Sequence, residues 1–163
     1  MSQNQVIAPF RAPNHRHGRC LDTALGKAER ACKARGQRLT PLRRRVLELI
    51  WDSHEPVKAY DVLAALRTEH KSAAPPTVYR ALEFLLRQGL VHRIESMNAY
   101  IGCGEPGHAT NSQFLICRCC GEVAELDDGD IITLIGTKAG RLGFAIDSQT
   151  VEIRGCCSKC RAG

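Results

Sequence analysis

The stretch FLICRCCGEV, Phe114 to Val123, carries three cysteines within four residues, and GCCSKC, Gly155 to Cys160, carries three more near the C-terminus. Three kinds of chemistry are open to such clusters: redox exchange, disulfide bonding and metal ligation. Cys117 with Cys120, and Cys157 with Cys160, are CxxC pairs. Two such turns facing each other supply four thiolates in a tetrahedron, the ligand set of structural zinc. A closed shell of that kind leaves no position for water, which makes its role folding rather than catalysis. The redox alternative, a thioredoxin-type CxxC, normally occurs once and opens a helix in a βαβ unit, a pattern not read here. Cys119 and Cys156 adjoin the pairs off the x2 spacing and read as spectators, with spacing leaving the register at CRCC and GCCSKC open.

A looser constellation is His92, Cys103, His108 and Glu125. One thiolate, two imidazoles and a carboxylate are a complete ligand set for zinc. The same residues also fit a structural histidine and an exposed strand carboxylate, so spacing by itself assigns no site.

Composition bounds the frame that must position these groups. The chain has 163 residues, 44% of them apolar, enough for one or two small domains. No apolar run reaches membrane-spanning length, and the N-terminus lacks the basic-then-apolar order of a secretory signal, so a cytoplasmic protein is expected, with no membrane partner. In a reducing compartment nine cysteines are poor disulfide candidates. Charge divides unevenly: residues 1–100 hold 17 Lys and Arg against 9 Asp and Glu, while residues 101–163 hold 6 against 8. A basic first part suits a polyanion, with nucleic acid favoured over a membrane surface. No nucleophile, base and oxyanion constellation is present, and no enzyme is expected.

The first part reads as helices ending in a hairpin. Leu21 to Arg35 is a helix stopped near Gly36, and a second follows Thr40 as N-cap with Pro41 at its first position. Leu42, Val46, Leu49 and Ile50 form its apolar stripe; Ala59, Val62, Leu63 and Leu66 form that of a third helix. A fourth helix is expected from Thr77, with Val78, Ala81, Leu82, Leu85 and Leu86 facing a core. Starting after Pro76, it would offer free backbone N–H groups to phosphate, with Tyr79 and Arg80 in its first turn. LVHRIESMNAYIG then reads as two short strands around Ser96, Met97 and Asn98. Helix, turn, helix and hairpin make a winged helix-turn-helix. Beyond the linker-like CGEPGHATNS come strands at 113–117 and 123–127, a helix from Asp130 as N-cap to about Leu142, and a strand over 144–153. The helix has Ile131, Ile132, Ile135, Ala139 and Leu142 on its apolar face. Some fifty residues with one helix hold too little core to stand alone, so a metal staple or partner subunit is expected.

RLTPLRRRVLELI, AYDVL, PPTVYRALEFLLRQGLVHRIESMNAYIGC, FLICRCCGEV and GFAIDSQTVEIRGCCSKC, in that order, resemble the ferric uptake regulator family of metal-sensing repressors, in its zinc-sensing branch. The resemblance runs from about Leu21 to Cys160 and implies an α+β protein. Residues 1–18 would be a disordered tail, 19–102 a winged-helix DNA-binding domain, 103–112 a hinge, and 113–163 a small α/β dimerisation domain with structural zinc. It implies a homodimer on an AT-rich palindromic operator, repressing zinc uptake and homeostasis genes when zinc-loaded. About two zinc ions per subunit are implied, one held by Cys117, Cys120, Cys157 and Cys160, and a sensory one held by His92, Cys103, His108 and Glu125. The positions matching DNA contacts are Tyr60 and Arg80, with Tyr79 and Thr77 close by. Iron, manganese or peroxide sensing on the same fold, or DNA binding with a structural zinc alone, are the alternatives; a thiolate at Cys103 favours zinc.

Overall fold

The computed structural model describes residues 5–11, 16–107 and 111–162, which fall into two compact units, 11–108 and 109–163 with the first ten residues. In chain order the elements are β1 (Gln5–Ala8), α1 (His17–Ala34), α2 (Pro41–Trp51), α3 (Ala59–Glu69), α4 (Pro75–Arg87), β2 (Val91–Ile94), β3 (Ala99–Gly102), β4 (Ser112–Cys117), β5 (Val123–Asp127), α5 (Gly129–Arg141), β6 (Thr150–Gly155) and α6 (Ser158–Arg161).

The unit of residues 11–108 is a helical core closed by a two-stranded wing. α1 stops where Gly36 takes a φ of 63°, so that the Gly36 and Gln37 N–H groups return to the carbonyls of Lys33 and Cys32. Thr40 caps α2, its Oγ1 accepting the Arg43 N–H at 3.4 Å, with Pro41 at the first helical position. Val46, Leu47, Ile50 and Trp51 of α2 pack with Val62, Leu63 and Leu66 of α3 and with Val78, Ala81, Leu82, Phe84 and Leu85 of α4. The apolar stripe of α2 is thus rotated from the expected one: Leu42 and Leu49 are partly buried at the margin, while Leu47 and Trp51 face inward. In the wing, β2 and β3 pair antiparallel, Val91 opposite Gly102 and Ile94 opposite Ala99. The turn between them uses Asn98 at φ 47°, a conformation asparagine tolerates better than most side chains. Val57 and Tyr100 exchange both backbone hydrogen bonds at 2.8 Å, adding one bridge to the wing's inner edge.

The second unit is a four-stranded sheet in the order β1-β5-β4-β6. β4 runs parallel to β6 and antiparallel to β5, and α5 makes the crossover between β5 and β6. Gln113 is buried in β4, and its Oε1 accepts the Asp128 N–H at 2.8 Å, tying the strand to the entry of α5.

Four further expectations are corrected. Part of the leading segment read as a disordered tail, residues 1–18, is ordered: Gln5–Ala8 pairs antiparallel with β5 and α1 already starts at His17. Backbone pairing with an open sheet edge does not require an apolar pattern, which is why composition missed it. The N-cap of α5 is Asp128, which accepts the N–H groups of Asp130 and Ile131 at 2.9 and 3.2 Å, rather than Asp130 itself. The last strand spans Thr150–Gly155, not 144–153; the chain after α5 first turns at Gly143, with φ 70°. Finally, α4 begins at Pro75, so its first two positions have no N–H, and the Thr77 and Val78 N–H groups bond to the Ala74 carbonyl at 2.9 and 3.4 Å. The free N–H groups expected at that helix end are therefore absent.

Candidate metal centres and nucleic-acid interface

The parallel pairing of β4 with β6 places Cys117 opposite Gly155, and the Arg118 N–H donates to the Gly155 carbonyl at 2.9 Å. Two cysteine turns, each just past a strand end, are thereby held side by side. The sulfurs of Cys117, Cys120, Cys157 and Cys160 lie within 4.8 Å of one another. Cys117 and Cys157 are buried, Cys120 and Cys160 half-buried. A zinc–sulfur bond of about 2.3 Å sets neighbouring sulfurs of a tetrahedron about 3.8 Å apart. The Cys120 and Cys157 sulfurs are 3.8 Å apart, so these residues fit a tetrahedral thiophilic cation. Cys117, Cys119, Cys156 and Cys160 also cluster within 4.8 Å. Cys119 and Cys156, however, are 3.0 Å apart, too close for two ligands of one tetrahedral zinc, and Cys119 is exposed.

The electrostatics of the turns suit thiolates. The Cys117 thiol is drawn down to about 5, first by the backbone N–H of Cys157, then by those of Cys120 and Cys119. The Cys157 N–H lies 3.3 Å from the Cys117 sulfur. Cys160 is pushed up, chiefly because it shares hydrogen bonding with Cys157 and is desolvated; at Cys120 the Glu122 backbone N–H pulls the thiol down, but desolvation and the neighbouring cysteine thiols together raise it. Lys159 and Glu122 form an ion pair at 2.6 Å between the two turns.

Of the second constellation, His92 and Cys103 belong to the first unit. His92 is half-buried in β2; Cys103 directly follows β3, is buried, and donates its N–H to the Leu90 carbonyl at 3.0 Å. A His92 ring nitrogen and the Cys103 sulfur lie within 4.8 Å of each other. Glu125 belongs to the second unit, on β5 opposite Phe114, and the residue is 3% exposed. The Ser112 hydroxyl is 3.4 Å from its Oε1. A carboxylate this deep is costly to leave ionised unless charge is supplied to it. His108 lies outside the described residues.

Also in the first unit, Tyr60 stands in the first turn of α3 at 75% exposure and Tyr79 in the first turn of α4 at 56%. Arg80 is exposed beside it, with no ion pair among the described residues, and Thr77 is half-buried. Large aromatic rings left in water next to an arginine are unusual on a monomer surface and suit a polar polyanion. Arg43 is otherwise engaged, its guanidinium 3.6 Å above the Phe84 ring.

The profile of the ferric uptake regulator family matches residues 34–154. The chain belongs to that family. Among curated proteins it is similar to the zinc uptake regulation protein of Escherichia coli (strain K12), 42% identical over 139 residues, covering 83% of this chain and 80% of the relative. Among solved structures it is similar to a zinc uptake regulator complexed with zinc and DNA, with TM-score 0.81, 40% identity, and 87% of this chain and 95% of that one covered. It is also similar to holo XcZur, with TM-score 0.79, 46% identity, and 85% and 97% covered. The fold is that of the ferric uptake regulator family, a winged-helix domain and a dimerisation domain.

In this family member, sequence spacing had singled out the four cysteines brought within 4.8 Å and the exposed Tyr79 and Arg80, while the exposed Tyr60 came from the family resemblance. It missed the Glu122–Lys159 pair, the closeness of Cys119 to Cys156, and the packing of Gly102 on Trp51, where any Cβ would overlap the indole. The only sequence signal for the last was a glycine at a strand end, which marks close approach as often as a turn.

Proposed function

We propose that this chain is a zinc-responsive transcriptional repressor that binds AT-rich palindromic operator DNA as a homodimer when zinc-loaded and controls zinc uptake and homeostasis genes. It is a regulator, not an enzyme, as its family is. The observation that carries the reading is the similarity, over most of its length, to a zinc uptake regulation protein and to a zinc uptake regulator complexed with zinc and DNA. Cys117, Cys120, Cys157 and Cys160 are the structural ligands in this proposal, supported by the 3.8 Å sulfur spacing and the N–H groups aimed at Cys117. His92, Cys103, His108 and Glu125 are the sensory ligands, supported by the buried thiol near the imidazole and the buried carboxylate. Zinc, when bound, supplies a rigid cross-link between the side chains that hold it, for about two ions per subunit.

Because the sensory ligands come from both units, their loading biases DNA binding, and by linkage the operator tightens zinc binding by the same factor. Arg80, Tyr79, Thr77 and Tyr60 form the DNA face. Dimerisation through the second unit is supported by its uncovered apolar residues: Leu134, Ile135, Leu142, Phe144 and Ile153 are all exposed. No helix among the described residues is long and apolar enough to cross a membrane, and we place the repressor in the cytoplasm with its DNA.

The test is fluorescence-anisotropy binding to an AT-rich palindrome at fixed salt and pH, titrating buffered free zinc with Fe(II) and Mn(II) as comparisons. The expected result is sharp binding only once a second zinc per subunit loads. Binding that is unchanged with one zinc per subunit would leave a DNA-binding protein with structural zinc alone.

A further inference from the structure

Six sulfurs meet where the two cysteine turns face each other, and the structural proposal uses four of them. Cys119 and Cys156, the remaining two, are 3.0 Å apart. That is short of the roughly 3.8 Å edge of a tetrahedral zinc–thiolate site, and about 1 Å from the length of a disulfide. The spacing is set by backbone, since the β4–β6 ladder continues to the pairing of Cys117 with Gly155, two residues before Cys119 and one before Cys156. Access is graded: Cys119 is exposed and Cys156 half-buried, whereas Cys117 and Cys157 are buried at 1% and 4% exposure. Cys156 also lines an apolar pocket of about 180 Å³ with Phe10, Leu115, Ile116 and Ile153.

We propose that Cys119 and Cys156 form an oxidisable dithiol, closed by a peroxide to an intramolecular disulfide that cross-links the two turns beside the four-thiol site. The exposed Cys119 sulfur attacks one oxygen of hydrogen peroxide, breaking the O–O bond and giving a sulfenic acid and one water. The Cys156 sulfur then attacks the Cys119 sulfur and displaces the hydroxyl, which leaves with the Cys156 proton as a second water. Two thiols lose two electrons and two hydrogens, and the peroxide is reduced to two waters. The bond duplicates covalently what zinc does at the same place, so the oxidised second unit holds its turns together without metal. The inference rests on Cys117, Cys120, Cys157 and Cys160 being the zinc ligands.

The test treats zinc-loaded full-length protein, and a Cys119→Ser/Cys156→Ser variant, with stoichiometric hydrogen peroxide. Intact mass, non-reducing peptide mapping and zinc content are then measured, followed by circular dichroism after chelation. The expected result is a loss of two hydrogens per chain, a Cys119–Cys156 linked peptide and full zinc retention in the parent protein. Its β signal should then survive chelation, while the double variant is zinc-loaded and folded but loses that signal on chelation. A linked peptide joining other cysteines, or no linkage at all, would overturn the proposal. A double variant that binds one zinc fewer would instead place Cys119 and Cys156 among the ligands and remove the structural assignment with it.

Discussion

Cys103 is a single buried thiol at the end of a wing strand, and its worth to the protein is tested at that one atom. Cys103→Ser keeps the shape but replaces a soft thiolate by a poor zinc ligand. The expected variant is folded and carries structural zinc, with operator binding that no longer rises as free zinc is raised; a zinc titration matching the parent would take Cys103 out of the sensory site. Arg80→Ala should lower operator affinity by about 1–3 kcal/mol, as expected for loss of one specific contact, with metal content unchanged. Undiminished affinity would move the recognition surface off the start of α4. Proton competition adds a third expectation. With its thiol near 5, Cys117 is already ionised at neutral pH, whereas Cys120 and Cys160, both raised, still carry protons. Loading the four-thiol site at pH 7 should therefore release at least the two protons held by Cys120 and Cys160. Zinc affinity should rise with pH through the neutral range and fall further below about 5, where Cys117 also takes up a proton. Calorimetry in buffers of different ionisation enthalpy reads the count, and a release of none would show the thiols already ionised.

Among the elements, the wing shows how packing can set the position of a ligand. β3 ends at Gly102, whose missing side chain is the space filled by Trp51 at the end of α2. Gly102→Ala forces either the indole or the strand to move, and Cys103 is the next residue. A loss of about 1–3 kcal/mol, typical of over-packing, is expected in urea unfolding, together with a weaker zinc response. Unchanged stability would mean that the indole has room to turn aside. α5 teaches a different lesson. Its isoleucines and Leu142 repeat at helical spacing, yet no residue of the helix is buried. Periodicity reports which residues share a face; whether that face meets the chain's own core or another subunit is not encoded in the period.

For the molecule as a whole, the two units differ in how they are held together. Residues 11–108 enclose a core of aliphatic side chains from four helices, whereas the second unit buries little beyond β4, β5 and the cysteine turns. Metal should thus be a larger part of the second unit's stability. Cys117→Ser is expected to unfold or monomerise that unit while the helical signal of the first persists, read by circular dichroism and analytical ultracentrifugation. A variant that stays dimeric with full zinc would show that three thiols suffice.

Much of this was legible in the amino-acid order because it is local. Thr40 with Pro41, the apolar repeat of α4, the Asn98 turn and the CxxC spacings each act within a few residues, and they determined the helices, the wing and the donor types without any long-range information. Tertiary structure decided the rest, because it depends on which strand lies beside which. The β4–β6 ladder selects Cys120 and Cys157 for tetrahedral spacing and leaves Cys119 against Cys156; the open edge of β5 takes up Gln5–Ala8; and a helix that starts at Pro75 removes the N–H groups on which a phosphate site at its end had relied. Spacing along a chain specifies ligand chemistry, while the distance between sulfurs 37 residues apart is fixed by the backbone hydrogen bonds of the sheet that carries them.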